Sequence, residues 1–230
     1  PRDPEWLSKY GRSLALLVDL WAPELSPKLL ERLLLNRSTL PSTFGSQMHQ
    51  GFENPLFSDL VLEVEDDSGS MVPSGSSNII SIPVHKVIIT TRSPYFKALC
   101  TGGMAEASQA SIRIPEVPVQ ALKLVLEFLY TYEVPYDRCS EHIVDMFVLS
   151  CRFQISKLKS TLENLLIFNL ASDNVVGLLL VAHSQTCVTL LKECISFIKS
   201  HKEEMEAHPD YIESAAELSS IMALYQDTTH

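Results

Sequence analysis

Asp59 and His85 are a carboxylate and an imidazole set among apolar residues, a pairing that can pass a proton as acid and base. The same two groups also serve as hydrogen-bonded structural polars, Asp59 near a pairing face and His85 near a helix start, and this reading needs no further partner. A second constellation is His201, Glu204 and His208. Spacings of three, four and seven fall on one helix face, where two imidazoles and a carboxylate can hold a metal. The spacing is not that of zinc hydrolases and Pro209 follows at once, so a solvated helix end is expected there and no metal site. Five cysteines complete the reactive groups: Cys100, Cys139, Cys151, Cys187 and Cys194. None is spaced C-x-x-C, and Cys100 has only Lys97 close in sequence, so ordinary thiols are expected. G-x-S-x-G, phosphate-loop and G-x-G-x-x-G patterns are absent, and neither an enzyme nor a cofactor is expected.

The totals narrow the classes further. The chain has 230 residues and a formal net charge of -10, from 28 acidic against 18 basic side chains. That balance repels nucleic acid, and no basic stretch with interleaved aromatics offsets it. The longest apolar run, Val175 to Ala182, includes Gly177 and falls short of the roughly 18 residues a membrane span requires, so no membrane partner is expected. An odd number of cysteines suits a reducing compartment, cytoplasm or nucleus. Asn36-Arg37-Ser38 fits a glycosylation acceptor, but no secretory signal accompanies it. The chain opens on Pro1 rather than Met and is expected to be part of something longer.

The elements that would position these groups follow from periodicity. Two helices are expected over residues 5–36, with Leu14, Leu17, Val18 and Trp21 at helical spacing in the first, and a short one over 44–54. The period then changes: Leu60, Leu62 and Val64 alternate with Val61, Glu63 and Glu65, a half-buried strand. Ile80, Ile82 and Val84 make a second strand, paired antiparallel across the Ser/Gly/Asp-rich loop Asp66–Asn78. A helix over His85–Thr91 comes next, then one over Pro94–Cys100 with Ser93 as N-cap. Ser111–Ile114 is a third strand. Pro118 opens a strong helix with Val119, Leu122, Leu126 and Leu129 on one face and Lys123 and Glu127 off it. Helices are expected over Glu141–Cys151 and Ser156–Asn169. Three more follow: one capped by Ser172 or Asp173, one over 187–200 burying Leu190, Leu191, Cys194, Ile195 and Ile198, and one from Pro209 carrying Leu218, Ile221, Met222 and Tyr225. The fold class is α+β with an all-α extension.

Three strings are more specific: Phe57-Ser58-Asp59-Leu60-Val61-Leu62; Val84-His85-Lys86-Val87-Ile88-Ile89 with Arg92-Ser93-Pro94-Tyr95-Phe96; and Ile112-Arg113-Ile114-Pro115 with Leu126-Glu127-Phe128-Leu129-Tyr130-Thr131. In order and separation they resemble the BTB/POZ family over 44–170, and 171–226 resembles a BACK-type extension. The resemblance implies a BTB/POZ fold, a small three-stranded sheet flanked by helices, followed by a BACK-like helical region over 171–230. Residues 1–43 are expected to be a helical N-terminal segment, readable as the tail of an upstream helical repeat domain.

The resemblance also implies partners. BTB domains commonly homodimerise, here through Phe52, Phe57, Asp59 and Leu60, and many recruit cullin-3 to a ubiquitin ligase. In cullin-binding members the loop after the third helix carries a hydrophobic residue, any residue, then Glu; here it reads Met104-Ala105-Glu106. Tyr136, Asp137, His142 and Asp145 lie at the helix start that would complete that surface. An exposed Met can fill a shallow apolar pocket, with the carboxylate orienting the contact. The implied role is a substrate adaptor, with an unknown substrate protein bound by another region. The alternative is a homo-oligomerisation module of a scaffold or transcriptional regulator without cullin binding. Two departures bear on dimerisation: the long Asp66–Asn78 loop, and an N-terminal region without the family's usual first strand and long helix.

Overall fold

The computed structural model describes residues 42–52, 54, 56–65, 79–101 and 110–226, and the chain divides into two compact units at Ile155–Ser156. The helices expected over 5–36, the Asp66–Asn78 loop and the Met104–Glu106 segment lie outside the described residues.

In the first unit, helix α1 (Ser42–Gly51) precedes strand β1 (Leu60–Glu65), β2 (Ile79–Val84), α2 (Lys86–Arg92), α3 (Pro94–Thr101), β3 (Ser111–Ile114), α4 (Val119–Thr131) and α5 (Ile143–Arg152). The sheet order is β2-β1-β3, with β2 antiparallel and β3 parallel to β1. Register sets Leu62 opposite both Ile82 and Ile112, and Leu60 opposite Val84, so the buried residues of all three strands share one face. Alternation in the sequence becomes alternation of burial because successive side chains leave a strand on opposite sides.

Helix α4 is the centre of this unit. Nearly all its side chains are buried, and α1, α2 and α5 pack on it. Each fully buried Leu, Ile or Phe contributes about 1.5–3 kcal/mol relative to exposure. The stripe reading of α4 fails at Glu127, which is buried: its Oε1 accepts Arg138 Nη2 at 2.5 Å and faces His49 Nε2 at 3.2 Å. A carboxylate enters a core only when it is paired or hydrogen-bonded there, and its partners come from a loop and from α1, beyond the reach of local pattern. At the other end of α1, Gly45 approaches α4 so closely that a Cβ would stand 3.2 Å from Glu133 Oε1.

Helix ends are handled by neighbouring residues. Tyr132 closes α4 in the left-handed region at φ 63, donating its amide to the Phe128 carbonyl at 2.7 Å. Arg92 Nη1 donates to the Leu129 and Tyr130 carbonyls at 2.7 and 3.3 Å, a cation at the negative end of the helix. Ser93 caps α3 as its position suggests, Oγ accepting the Phe96 amide at 3.2 Å and donating to the Phe153 carbonyl at 2.7 Å. Phe153 also packs with Tyr95 and Phe96, centroids 5.1 and 4.9 Å away.

The second unit is helical throughout its described residues: α6 (Ser156–Phe168), α7 (Val175–Ser184), α8 (Val188–Ser200), α9 (Lys202–Glu206), α10 (Pro209–Glu213) and α11 (Ala215–Gln226). The five residues expected inward on α8 are all buried. Neither Ser172 nor Asp173 caps α7; the N-cap is Asn174, whose side chain instead ties the preceding turn, Oδ1 accepting the Ala171 amide and Nδ2 donating to the Asn169 carbonyl. The single helix expected from Pro209 breaks at Ser214, and only Leu218 and Ile221 of its stripe are fully buried. Glu163 on α6 caps α8 from outside, accepting the Leu190 amide at 3.2 Å.

Candidate interaction surfaces

Three segments converge on His85. Asp59, at the entrance to β1, accepts the Lys86 backbone N–H on Oδ1 at 2.7 Å. It thus caps α2, which His85 opens without a side-chain cap of its own. The His85 ring is engaged elsewhere: Nδ1 lies 2.8 Å from the Tyr130 hydroxyl and Nε2 3.0 Å from the Leu56 carbonyl. A carbonyl only accepts, so Nε2 carries a proton and donates to it, and in the neutral ring Nδ1 is then the acceptor of the Tyr130 O–H. The hydroxyl in turn accepts the His85 backbone N–H at 2.9 Å. Both ring nitrogens are occupied, which leaves neither for Asp59, and the pair sits as structural polars.

Tyr130 is fully buried on α4, its ring 5.3 Å from that of Phe52. Burial pushes its phenol up; the His85 backbone N–H opposes that rise and the Asp59 charge adds to it. On the outer side, the Leu56 amide donates to Asn54 Oδ1 at 3.0 Å. Phe57 follows at φ 64, a conformation aromatic residues rarely adopt, with its ring 86% exposed. Leu56 beside it and Val87 two residues past His85 are exposed as well.

The four residues expected at a dimer face therefore divide. Phe57 and Asp59 are exposed, while Phe52 and Leu60 are buried in the first unit. Leu56, Val87 and the buried Tyr130 were not foreseen. Leu56 had a sequence signal, an apolar pair beside Asn54-Pro55; the role of Tyr130, 45 residues from its histidine, had none.

A second surface lies at the start of α5. A 3₁₀ turn, Ser140–His142, leads into the helix, whose N-cap is His142. Asp145 lies in the first turn, where backbone N–H groups favour negative charge. Tyr136, His142 and Asp145 are half-buried, and Val144 between the last two is exposed. Arg138, flanked by Asp137 at 3.8 Å, turns inward to Glu127. Met104 and Glu106 lie outside the described residues.

The BTB/POZ domain model matches residues 48–170. The chain belongs to the BTB/POZ domain family. This BTB/POZ chain is 30% identical over 157 residues to a BTB/POZ domain-containing protein of Arabidopsis thaliana, covering 68% of this chain and 60% of the relative. It is 28% identical over 173 residues to BTB/POZ domain-containing protein 9 of Drosophila melanogaster, 75% of this chain and 22% of the relative. Kelch-like ECH-associated protein 1A of Danio rerio is 24% identical over 172 residues, 74% of this chain and 27% of the relative. The chain thus spans less than two thirds of each of these relatives, and it shares with them a protein-interaction module.

The remaining reactive groups stand apart from both surfaces or are quiet. The shared helix face expected for His201, Glu204 and His208 does not form: His201 lies between α8 and α9, Glu204 in α9 and His208 before α10. His201 stacks on Phe197, centroids 4.2 Å apart. Among the described residues no cluster of three or more His, Cys, Asp or Glu is placed to hold a metal, and no helix is long and apolar enough to cross a membrane. Burial raises the Cys100 thiol, with Lys86 opposing and Asp59 adding to the rise. Cys139 and Cys194 are each pushed up to about 12, chiefly by burial.

Proposed function

We propose that this BTB/POZ chain is an adaptor module that recruits cullin-3 to a ubiquitin ligase and associates with itself. The observation that carries the reading is the Met104-Ala105-Glu106 triplet in the segment after α3 of a BTB/POZ domain. The start of α5, with Tyr136, His142, Val144 and Asp145, supplies a mixed apolar and polar surface suited to the same partner. An unknown substrate protein would be held by another region. The mechanism is proximity: bridging substrate and ligase raises their effective concentration, and a dimer adds avidity. The helices over 171–226 act as a BACK-type extension in this reading. An odd number of cysteines with no C-x-x-C pair suits work in the cytoplasm or nucleus.

Calorimetric titration of the chain with the N-terminal part of cullin-3 tests the proposal. Binding that is lost in the Met104→Ala, Glu106→Ala double variant supports it and its site. Absence of binding by the folded native chain removes the adaptor reading.

A second reading, a self-association module without cullin, is favoured by the exposed apolar set Leu56, Phe57 and Val87. Under this reading the native chain self-associates in sedimentation, a Phe57→Ser variant does not, and neither binds cullin-3; cullin-3 binding by the native chain removes it.

A further inference from the structure

We infer that His85 is a positioning residue for the Leu56–Phe57 turn, transmitting the fixed place of Tyr130 in the core to the exposed Phe57 ring; this rests on the self-association reading for its consequence. Phe57 holds a backbone conformation that an aromatic residue avoids, at φ 64. Such a conformation persists only where its surroundings over-determine it. Two hydrogen bonds do so immediately before it: Asn54 Oδ1 takes the Leu56 amide, and His85 Nε2 donates to the Leu56 carbonyl. The first is local and exposed. The second reaches across 29 residues and ends on a ring whose other nitrogen meets a fully buried tyrosine. The Tyr130 hydroxyl also accepts the His85 backbone N–H, so backbone and ring are fixed by one atom. Tyr130 is itself packed against Phe52 at the end of α1. The chain of contacts therefore runs from α1 and α4, through the imidazole, to a ring 86% exposed. Phe57 is thus tied, through the half-buried His85, to a tyrosine that is fully buried.

The test uses two conservative variants that divide the imidazole. A glutamine amide reaches the position of Nε2 and keeps a donor for the Leu56 carbonyl. An asparagine amide reaches only the position of Nδ1 and keeps the Tyr130 contact alone. Tyr130→Phe removes the hydroxyl at constant ring size. The chain is labelled with 15N-phenylalanine, and the Phe57 amide signal reports the turn while sedimentation equilibrium reports self-association. His85→Asn and Tyr130→Phe are expected to shift the Phe57 amide and weaken self-association at least tenfold; His85→Gln is expected to leave both near native. A Phe57 amide unmoved in His85→Asn overturns the positioning role. A shifted amide with unchanged self-association confirms the positioning and instead removes this face from the association reading. If Tyr130→Phe does not fold, the asparagine and glutamine variants decide the matter between them.

Discussion

Ser93 and Phe153, 60 residues apart, share a 2.7 Å hydrogen bond inside the first unit, Oγ donating to the carbonyl. The same oxygen accepts the Phe96 amide, so one buried hydroxyl satisfies a helix start and the end of another segment. Ser93→Ala removes a cap worth about 1 kcal/mol and leaves a buried carbonyl without its donor, a further cost of about 1–3 kcal/mol. Urea unfolding should show a loss near the sum; a loss under about 0.5 kcal/mol would mean that water replaces the serine.

Glu127 and its neighbours give a contrast between two ion pairs of the same arginine. Arg138 meets the buried Glu127 at 2.5 Å and the exposed Asp137 at 3.8 Å. Asp137→Ala should change stability by less than about 0.5 kcal/mol. Arg138→Ala should cost about 1–3 kcal/mol, because it leaves a buried carboxylate with His49 beside it. The cost should shrink in a Glu127→Gln background, where no charge is left to strand. Equal effects of the two single alanine variants would show that burial of Glu127 does not govern the pair.

Phe57 allows stability and association to be moved in opposite directions. Asparagine tolerates positive φ and carries no exposed aromatic ring. Phe57→Asn should stabilise the chain by roughly 0.5–1 kcal/mol while abolishing self-association at this face. Thermal unfolding and sedimentation on the same sample check both signs, and a destabilised variant would contradict the strain assigned to the turn.

Thiol chemistry should follow burial. Cys139 and Cys194 stay protonated in the folded chain up to about 12, whereas an unfolded thiol ionises near its ordinary value. The unfolded state therefore releases these protons first, and stability is expected to fall as pH rises from about 9. At neutral pH, iodoacetamide mapped by mass spectrometry should leave both unmodified under native conditions and label both in urea. Cys100, half-buried with a raised thiol, should react slowly, faster as pH rises. Rapid native labelling of Cys139 would require an opening of the α4–α5 connection.

What the sequence disclosed was local. Ser93-Pro94 announces a helix start because the cap and the preset φ lie side by side. The β1–β2 pairing is legible because Leu60, Leu62 and Val64 meet Val84, Ile82 and Ile80 through strict alternation. The family strings placed the fold, and the dimer and cullin surfaces came with them as expectations. The misreadings were of another kind. Glu127 is set off the apolar face of its helix by the sequence pattern, and its burial is not foreseen because its partners come from a loop and another helix. The break at Ser214 has no Gly or Pro to announce it. A phenylalanine at φ 64 runs against the propensity of its own side chain, and one of the two bonds that hold its turn comes from a histidine distant in sequence.

The placement of β1 between β2 and β3 has a consequence for how the protein is made. β1 finds β2 early, but its parallel partner β3 arrives about fifty residues later. Helix α4, on which α1, α2 and α5 pack, ends at Thr131. At ribosomal speeds of about 5–20 residues per second, the apolar face of the β1–β2 hairpin waits roughly 2–10 seconds for cover. Until β3 emerges, Leu62 lacks its Ile112 neighbour, and the open side of β1 is an unpaired strand edge of the kind that makes folding intermediates prone to misassembly.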